Sequence, residues 1–476
     1  MTEHTQTVGS SGTLIPGTPN RSLLIGIAAL LGILGNAVFV MLTPLLPLMQ
    51  GEYDLNISET TWIFTALTLA TAASYVVFPR MSDILGDRVA AAGCAALLMA
   101  GALLPAIVQS YPALLLGSVL LGLGGASAVL PFGILRRHLS GDALIIAVIV
   151  GVISAGIGAG VGFLVGGLVV ESLTIVAFFY IMAGLFALST LAVIATIPSD
   201  HAGSDERIGI LGTAWLIGWI TLLLLGLSMA PTWGYTNPMT LGLIAAGIIL
   251  AVFWVLAEYR SNATVFDLKL FKIRTVFGAC IGAAMVGAVL SNTLLLVSYY
   301  AQTPSEVGYG LGLDALGTSI IFIPLAVMIA VGGQIGGKVI ERGFAIGVSV
   351  VGASIAGVGS AWLMLDHEAQ WQFLVGTGIL GLGYGLATAG VFALPQLAVP
   401  EEEAGMSAGL VGTSMIIGTA IGSALVTGIL STSYVAGAPG IPEEHLYVVS
   451  FGTSVAFCVA TAAIMLASRN SKVKPL

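Results

Sequence analysis

Charge is the scarcest commodity in this sequence. Only 8% of its 476 residues are Asp, Glu, Lys or Arg, while 57% are apolar and the mean hydropathy is +1.04. A water-soluble domain carries about a quarter charged residues, so lipid must be the solvent for most of this chain. Cysteine is rarer still. Cys94, Cys280 and Cys458 all sit inside apolar runs, an odd set that excludes a disulfide framework and shows no metal-ligand spacing. None of the 23 carboxylates and five histidines lies in the middle of an apolar run, which leaves no constellation for an intramembrane enzyme. Glycine-rich runs occur only within apolar segments, without the strand context of a nucleotide site. ATP-driven work, a cofactor and nucleic-acid binding are therefore not expected.

What the sequence has is long charge-free intervals. A hydrocarbon core of about 30 Å needs roughly 20 apolar helical residues, and a charge near its centre costs several kcal/mol. Gaps between charges therefore mark crossings. Ten gaps have the length of one span. Two are double: Arg88 to Arg136, broken by "QSYP" (109–112), and Arg207 to Glu258, broken by "APTWGYTNP" (230–238). The total is 14 transmembrane helices, the runs being far too long for barrel strands. Starting inside and alternating, all 15 Lys and Arg residues fall on one side, which places both termini in the cytoplasm of a cell-membrane protein. The first apolar run, 22–49, is too long for a cleaved leader.

The two halves echo each other. "LGLGGASAVLP" (121–131) matches "LGLGYGLATAG" (380–390) at an offset of 259, and Gly86 matches Gly343 at 257. Six spans with short loops need only about 200 residues, so the surplus is about one helical hairpin. The expected order is a tail (1–21), a six-helix half (22–197), an inserted helix pair (208–258), a second six-helix half (274–468) and a tail (469–476). Parallel halves of this kind mark transporters whose binding site lies between them.

"RMSDILGDR" (80–88) packs four charges into nine residues between charge-free runs of 20 and 47. "GAGVGFLVGG" (158–167) places Gly158, Gly162 and Gly166 on one helix face, where small residues let helices approach closely. With these stretches, "PTWGYTNP" (231–238), "VFDLKLFKIRTV" (265–276), "SYYAQ" (298–302) and "GTSIIFIP" (317–324), the chain resembles the major facilitator superfamily over residues 22–468, in its 14-span drug:proton antiporter branch. The resemblance implies an all-α polytopic protein with the major facilitator fold, working by alternating access. It implies that Arg80, Asp83, Gly86 and Arg88 form a conformational latch at the inner gate. It also implies that Gly158, Gly162, Gly166 and Gly167 are the gating glycines of span 5. The sequence departs from the family at Asn36, where an aspartate is common; at Ser118 and Leu121, which replace arginine and glutamine; at Phe163, which replaces the motif proline; and at Asp87, where a basic residue is common. Most of these are positions the family links with proton coupling.

From the residues themselves, Arg80 and Arg88 need no more explanation than the positive-inside rule, whereas Asp83 and Gly86 do. The glycine face suits plain tight packing as well as gating. Polar and aromatic residues within spans are the substrate-cavity candidates: Asn36, Trp62, Asn292, Tyr384 and Gln396. An amide in hydrocarbon needs a partner, so Asn36 and Asn292 equally suit helix–helix contacts, and Trp62 equally suits an interfacial anchor. Proton-carrying candidates are confined to span ends: Glu59, Asp83, Asp142, Glu171, Glu306 and Asp314. The expected function is secondary transport, first as efflux of a hydrophobic or amphipathic small molecule by a multidrug-type antiporter acting as a monomer, with protons as the candidate coupled ion. The alternative is a uniporter or uptake permease for a neutral metabolite, and a third class is a non-transporting receptor or assembly partner.

Overall fold

A computed structural model of the chain describes residues 21–55, 57–139, 143–172, 174–198, 210–258, 272–399, 404–435 and 441–468. The expected tails, Asp142, the acidic run 401–403 and most of 265–276 lie outside these residues. The fold is all-α. In lipid each backbone N–H and C=O must find its partner within its own segment, and long apolar stretches do so as helices.

The first half comprises α1 (Arg21–Glu52), α2 (Ile57–Leu85), α3 (Asp87–Ile107), α4 (Tyr111–Gly124), α5 (Leu130–His138), α6 (Ala143–Ser172) and α7 (Ile175–Thr196). Helices α4 and α5 are one span broken by a 3-10 turn, Gly125–Ala128, between a glycine pair and Pro131. The hairpin is α8 (Ile210–Trp233) and α9 (Pro238–Glu258). The second half is α10 (Arg274–Gln302), α11 (Ala315–Ile340), α12 (Ala345–Leu365), α13 (Gln370–Ala398), α14 (Ala404–Leu430) and α15 (Glu444–Ala467). Thirteen of these spans are long and apolar enough to cross a membrane, and α8 adds the apolar stretch Ala214–Ala230. The architecture is the expected pair of six-helix halves with an inserted pair.

Local chemistry sets the ends. The α2–α3 break falls at Gly86 with φ 97°, and the α11–α12 break at Gly343 with φ 83°. An L side chain is strained in that region, so both repeat-related breaks use glycine. Asp314 caps α11 by accepting from Gly317 N at 2.7 Å, and Thr174 caps α7 by accepting from Ala177 N at 3.2 Å.

The halves meet along two edges. On one, α6 lies against α11 from end to end: a methyl on Gly156 would stand 2.6 Å from the Ala326 carbonyl, and one on Gly333 2.6 Å from Val152. Phe163 stacks on Phe322 there at 4.4 Å. The other edge is formed by α2 and α14, with α10 against the opposite face of α14. Gly405, Gly409 and Gly412 face Pro79 and Tyr75 of α2, whereas Gly418 and Gly422 face Ala284 and Ala288 of α10, in their own half. The glycine contacts of the second edge gather towards the end that carries Arg80, Arg88, Lys338 and Arg342, here called the basic end.

Candidate functional site

At the basic end the last turn of α2 delivers Asp83 and the first turn of α3 delivers Asp87, both buried. The cation they share is Arg137, at the end of α5. Its guanidinium donates to Asp83 and Asp87, with Nε 3.1 Å from Asp87 Oδ2, and to Ser82 Oγ at 2.6 Å. His138 Nε2 lies 3.0 Å from the same Asp87 oxygen, and Ser82 also donates to Asp87. Charge-assisted bonds of this kind are about twice as strong as neutral ones.

Two ties cross from this cluster to the second half. The backbone N–H of Met406, in the first turn of α14, donates to Asp83 Oδ2 at 2.9 Å. That N–H is one of the four an α-helix leaves without an internal acceptor, at the positive end of its dipole. Arg136 Nη2 donates to the carbonyl of Val399, just past α13, at 2.8 Å. Close packing supports both ties: a methyl on Gly133 would stand 2.9 Å from Gly405 Cα, and the Phe132 and Phe392 rings stack across the halves at 4.4 Å and 12°. One carboxylate thus bonds an arginine of its own half and a helix terminus of the other. Such a contact is made or lost as a unit when the halves separate.

The expected latch residues are therefore only partly its parts. Asp83 and Gly86 stand at the reversal, but the cation on Asp83 comes from α5 rather than from the half-buried Arg80 and Arg88 beside it in sequence. Sequence reasoning missed Arg137, His138, Asp87 and Met406. A signal for the first two was present, since "RRH" (136–138) closes span four at the same end of the molecule.

The glycines of α6 split between two neighbours. Gly158 and Gly162 pack on α1 within their own half, their methyls standing 2.6 Å from the Ile33 carbonyl and 2.8 Å from that of Ala37. Gly166 is buried. Gly167 faces Ser319 of α11, on the same side as Gly156 and Gly160. The seam between halves is thus lined by 156, 160 and 167 rather than by the 158–162 face.

The five cavity candidates are not brought together. Asn36 donates to its own Gly32 carbonyl at 2.8 Å. Trp62 is half-buried near the start of α2, at the far end. Asn292 is buried between α10, α14 and α15. Its amide is satisfied with nitrogen donating to Gly422 O (2.9 Å) and Ala288 O (3.0 Å) and oxygen accepting from Ser454 and Thr453 (3.2 Å each), which is helix–helix bonding. Tyr384 points its hydroxyl at Met415 Sδ, 3.9 Å away. Gln396 lies one turn from Phe392, whose carbonyl it bonds at 3.3 Å, and its Oε1 has no partner among the described residues. An apolar recess of about 150 Å³ lies elsewhere, between α1, α6 and α7, against Ala37, Gly162 and Phe178.

Among known proteins, the profile of the Major Facilitator Superfamily matches residues 25–207 and 204–423. The chain belongs to that superfamily. It is 27% identical over 403 residues to the tetracenomycin C resistance and export protein of Streptomyces glaucescens, covering 82% of this chain and 72% of that one. It is 24% identical over 272 residues to the multidrug resistance protein Stp of Mycobacterium tuberculosis, covering 56% of this chain and about half (48%) of the relative. The probable actinorhodin transporter of Streptomyces coelicolor is 24% identical, over 80% of this chain and 67% of its own length. Among solved structures, the human organic anion transporter MFSD10 superimposes with a TM-score of 0.68 at 13% identity, over 94% of this chain and 100% of that one, a likeness of fold alone. As a member of this superfamily the chain is a multi-pass membrane transporter and not an enzyme.

Proposed function

We propose that this protein exports a hydrophobic or amphipathic small molecule across the cell membrane by alternating access, with its basic end in the cytoplasm and protons moving the opposite way. The observation that carries the reading is the pair of ties across the basic-end seam, Asp83 to Met406 and Arg136 to Val399. A transporter needs a contact that is intact in one state and absent in the other, and these are the bonds that separation of the halves would break. The latch is Asp83 with Arg137, turned on Gly86. The direction rests on relatives named for tetracenomycin C export and multidrug resistance. The positive-inside bias supports the orientation. A carboxylate that could exchange a proton lies at the seam itself, in Asp83.

The deciding measurement is efflux of ethidium from cells expressing the protein, with and without a protonophore. Efflux that stops when the proton gradient collapses supports the proposal. Efflux that continues removes the proton, and no efflux in either condition turns the reading to a permease for a neutral metabolite.

A further inference from the structure

The inserted hairpin lies across the α2–α14 edge between the two halves. The α6–α11 edge is packed from Gly156 to Gly167 and leaves no gap to cover. The α2–α14 edge is packed through Gly405, Gly409 and Gly412 at the basic end. Helix α8 packs on both α2 and α14, and Leu216, Ile220 and Leu224 join one apolar cluster with Val76 of α2 and Leu410 and Ile416 of α14. Helix α9 lies behind it, joined through Trp219 and Trp254 at 6.3 Å, and turns most of its surface outward.

The two contacts of α8 differ in kind. Towards the second half the hairpin is anchored: Tyr235, in the α8–α9 turn, donates its hydroxyl to the Ala424 carbonyl of α14, and its ring rests on Gly428. The turn is fixed at Gly234, with φ 101°. A directional hydrogen bond and a ring seated on the glycine together tie this end of the hairpin to α14. Towards the first half, α8 meets Ala72 and Val76, small aliphatic side chains that offer no directional bond. An apolar surface without hydrogen bonds can shift register at low cost, since one apolar neighbour replaces another.

We infer that the α8–α9 hairpin is a strap carried by the second half, which slides over α2 and keeps lipid out of the α2–α14 cleft as the basic end opens. This rests on the alternating-access reading above. In the state described, α8 bridges both sides of a closed seam. When α2 leaves α14, α8 stays with α14 and its cluster with Val76 is the contact exchanged.

The test uses spin labels on the full chain at three exposed positions near the basic end: Leu256→Cys on the hairpin, Leu466→Cys on the second half and Val89→Cys on the first. The native cysteines are buried and are replaced by alanine. Pairwise distances are measured in this background and with Asp83→Ala and Arg136→Ala combined, which removes both ties across the seam and needs no transported substrate. The expected result is that the 89–466 and 89–256 distances lengthen by several ångströms while 256–466 holds. If 89–466 lengthens and the hairpin label follows residue 89 instead, or moves against both halves, the strap is overturned while alternating access stands. If 89–466 does not change, the seam reading fails and the strap with it.

Discussion

Asp83 is the residue on which the two halves agree. Its carboxylate accepts from Arg137 on one side and from Met406 N on the other. Hydrogen bonds to a charged group contribute about 1.5–3 kcal/mol each, so losing the tie to Met406 moves the closed-seam population by roughly ten- to a hundred-fold. Asp83→Asn keeps the shape and removes the charge; the expected outcome is loss of ethidium efflux at normal membrane abundance, checked by quantitative immunoblot beside the efflux assay. Arg137→Gln should be worse, because it leaves two buried carboxylates facing each other without their cation. Its melting temperature in detergent should fall clearly, and Asp87→Asn added to it should recover part of the loss. An unchanged melting curve for the single variant would mean the cluster is not a unit. Asp83 was legible from the sequence as the acid that the positive-inside rule does not explain. Its partners were not, because Arg137 lies 54 positions and Met406 323 positions along the chain, distances no local pattern spans.

Elements show where a one-dimensional period stops informing. The spacing of Gly158, Gly162 and Gly166 correctly gives one face of α6, but that face meets α1 while the neighbouring face, through Gly156, Gly160 and Gly167, meets α11. Period reveals which residues share a face and never which helix it meets. Backbone breaks were more legible. Gly86 and Gly343, matched by the repeat, are both reversals with positive φ. Gly343→Ala meets no atom within 4 Å and so isolates the backbone term; the expected cost is about 1–2 kcal/mol, read as a lower melting temperature with efflux retained. Tyr235→Phe should likewise leave the ring on Gly428 and forfeit about 1 kcal/mol of hydrogen bonding, loosening the hairpin without unfolding the halves.

At the scale of the whole molecule, the span count was legible from charge alone, because a buried charge in lipid is expensive enough to discipline every loop. The six-plus-two-plus-six order needed the repeat offsets and the chain length as well. The interior was less legible. Asn292 and Tyr384 satisfy their polar atoms among neighbouring helices of one half, since any polar side chain in a span needs a partner whether or not a solute comes. The edge geometry adds a whole-molecule expectation. Gly160 and Ala326 sit near the middle of the α6–α11 edge, where a β-carbon on the glycine would stand 3.0 Å from that of Ala326, so the helices need to part by less than about 1 Å to seat a disulfide. A Gly160→Cys, Ala326→Cys bridge near the pivot should leave efflux largely intact under oxidation, while a bridge that abolishes it reversibly would place the pivot elsewhere.

That α14 is clasped on opposite faces has a consequence for the cell that holds this protein. One glycine face meets α2 through Gly405, Gly409 and Gly412, and the other meets α10 through Gly418 and Gly422. In the transport cycle proposed above, the first contact parts and re-forms while the second stays whole. A bulky residue at Gly409 should therefore wedge the seam and harm the host through leakage, whereas one at Gly418 should lower the amount of folded protein in the envelope.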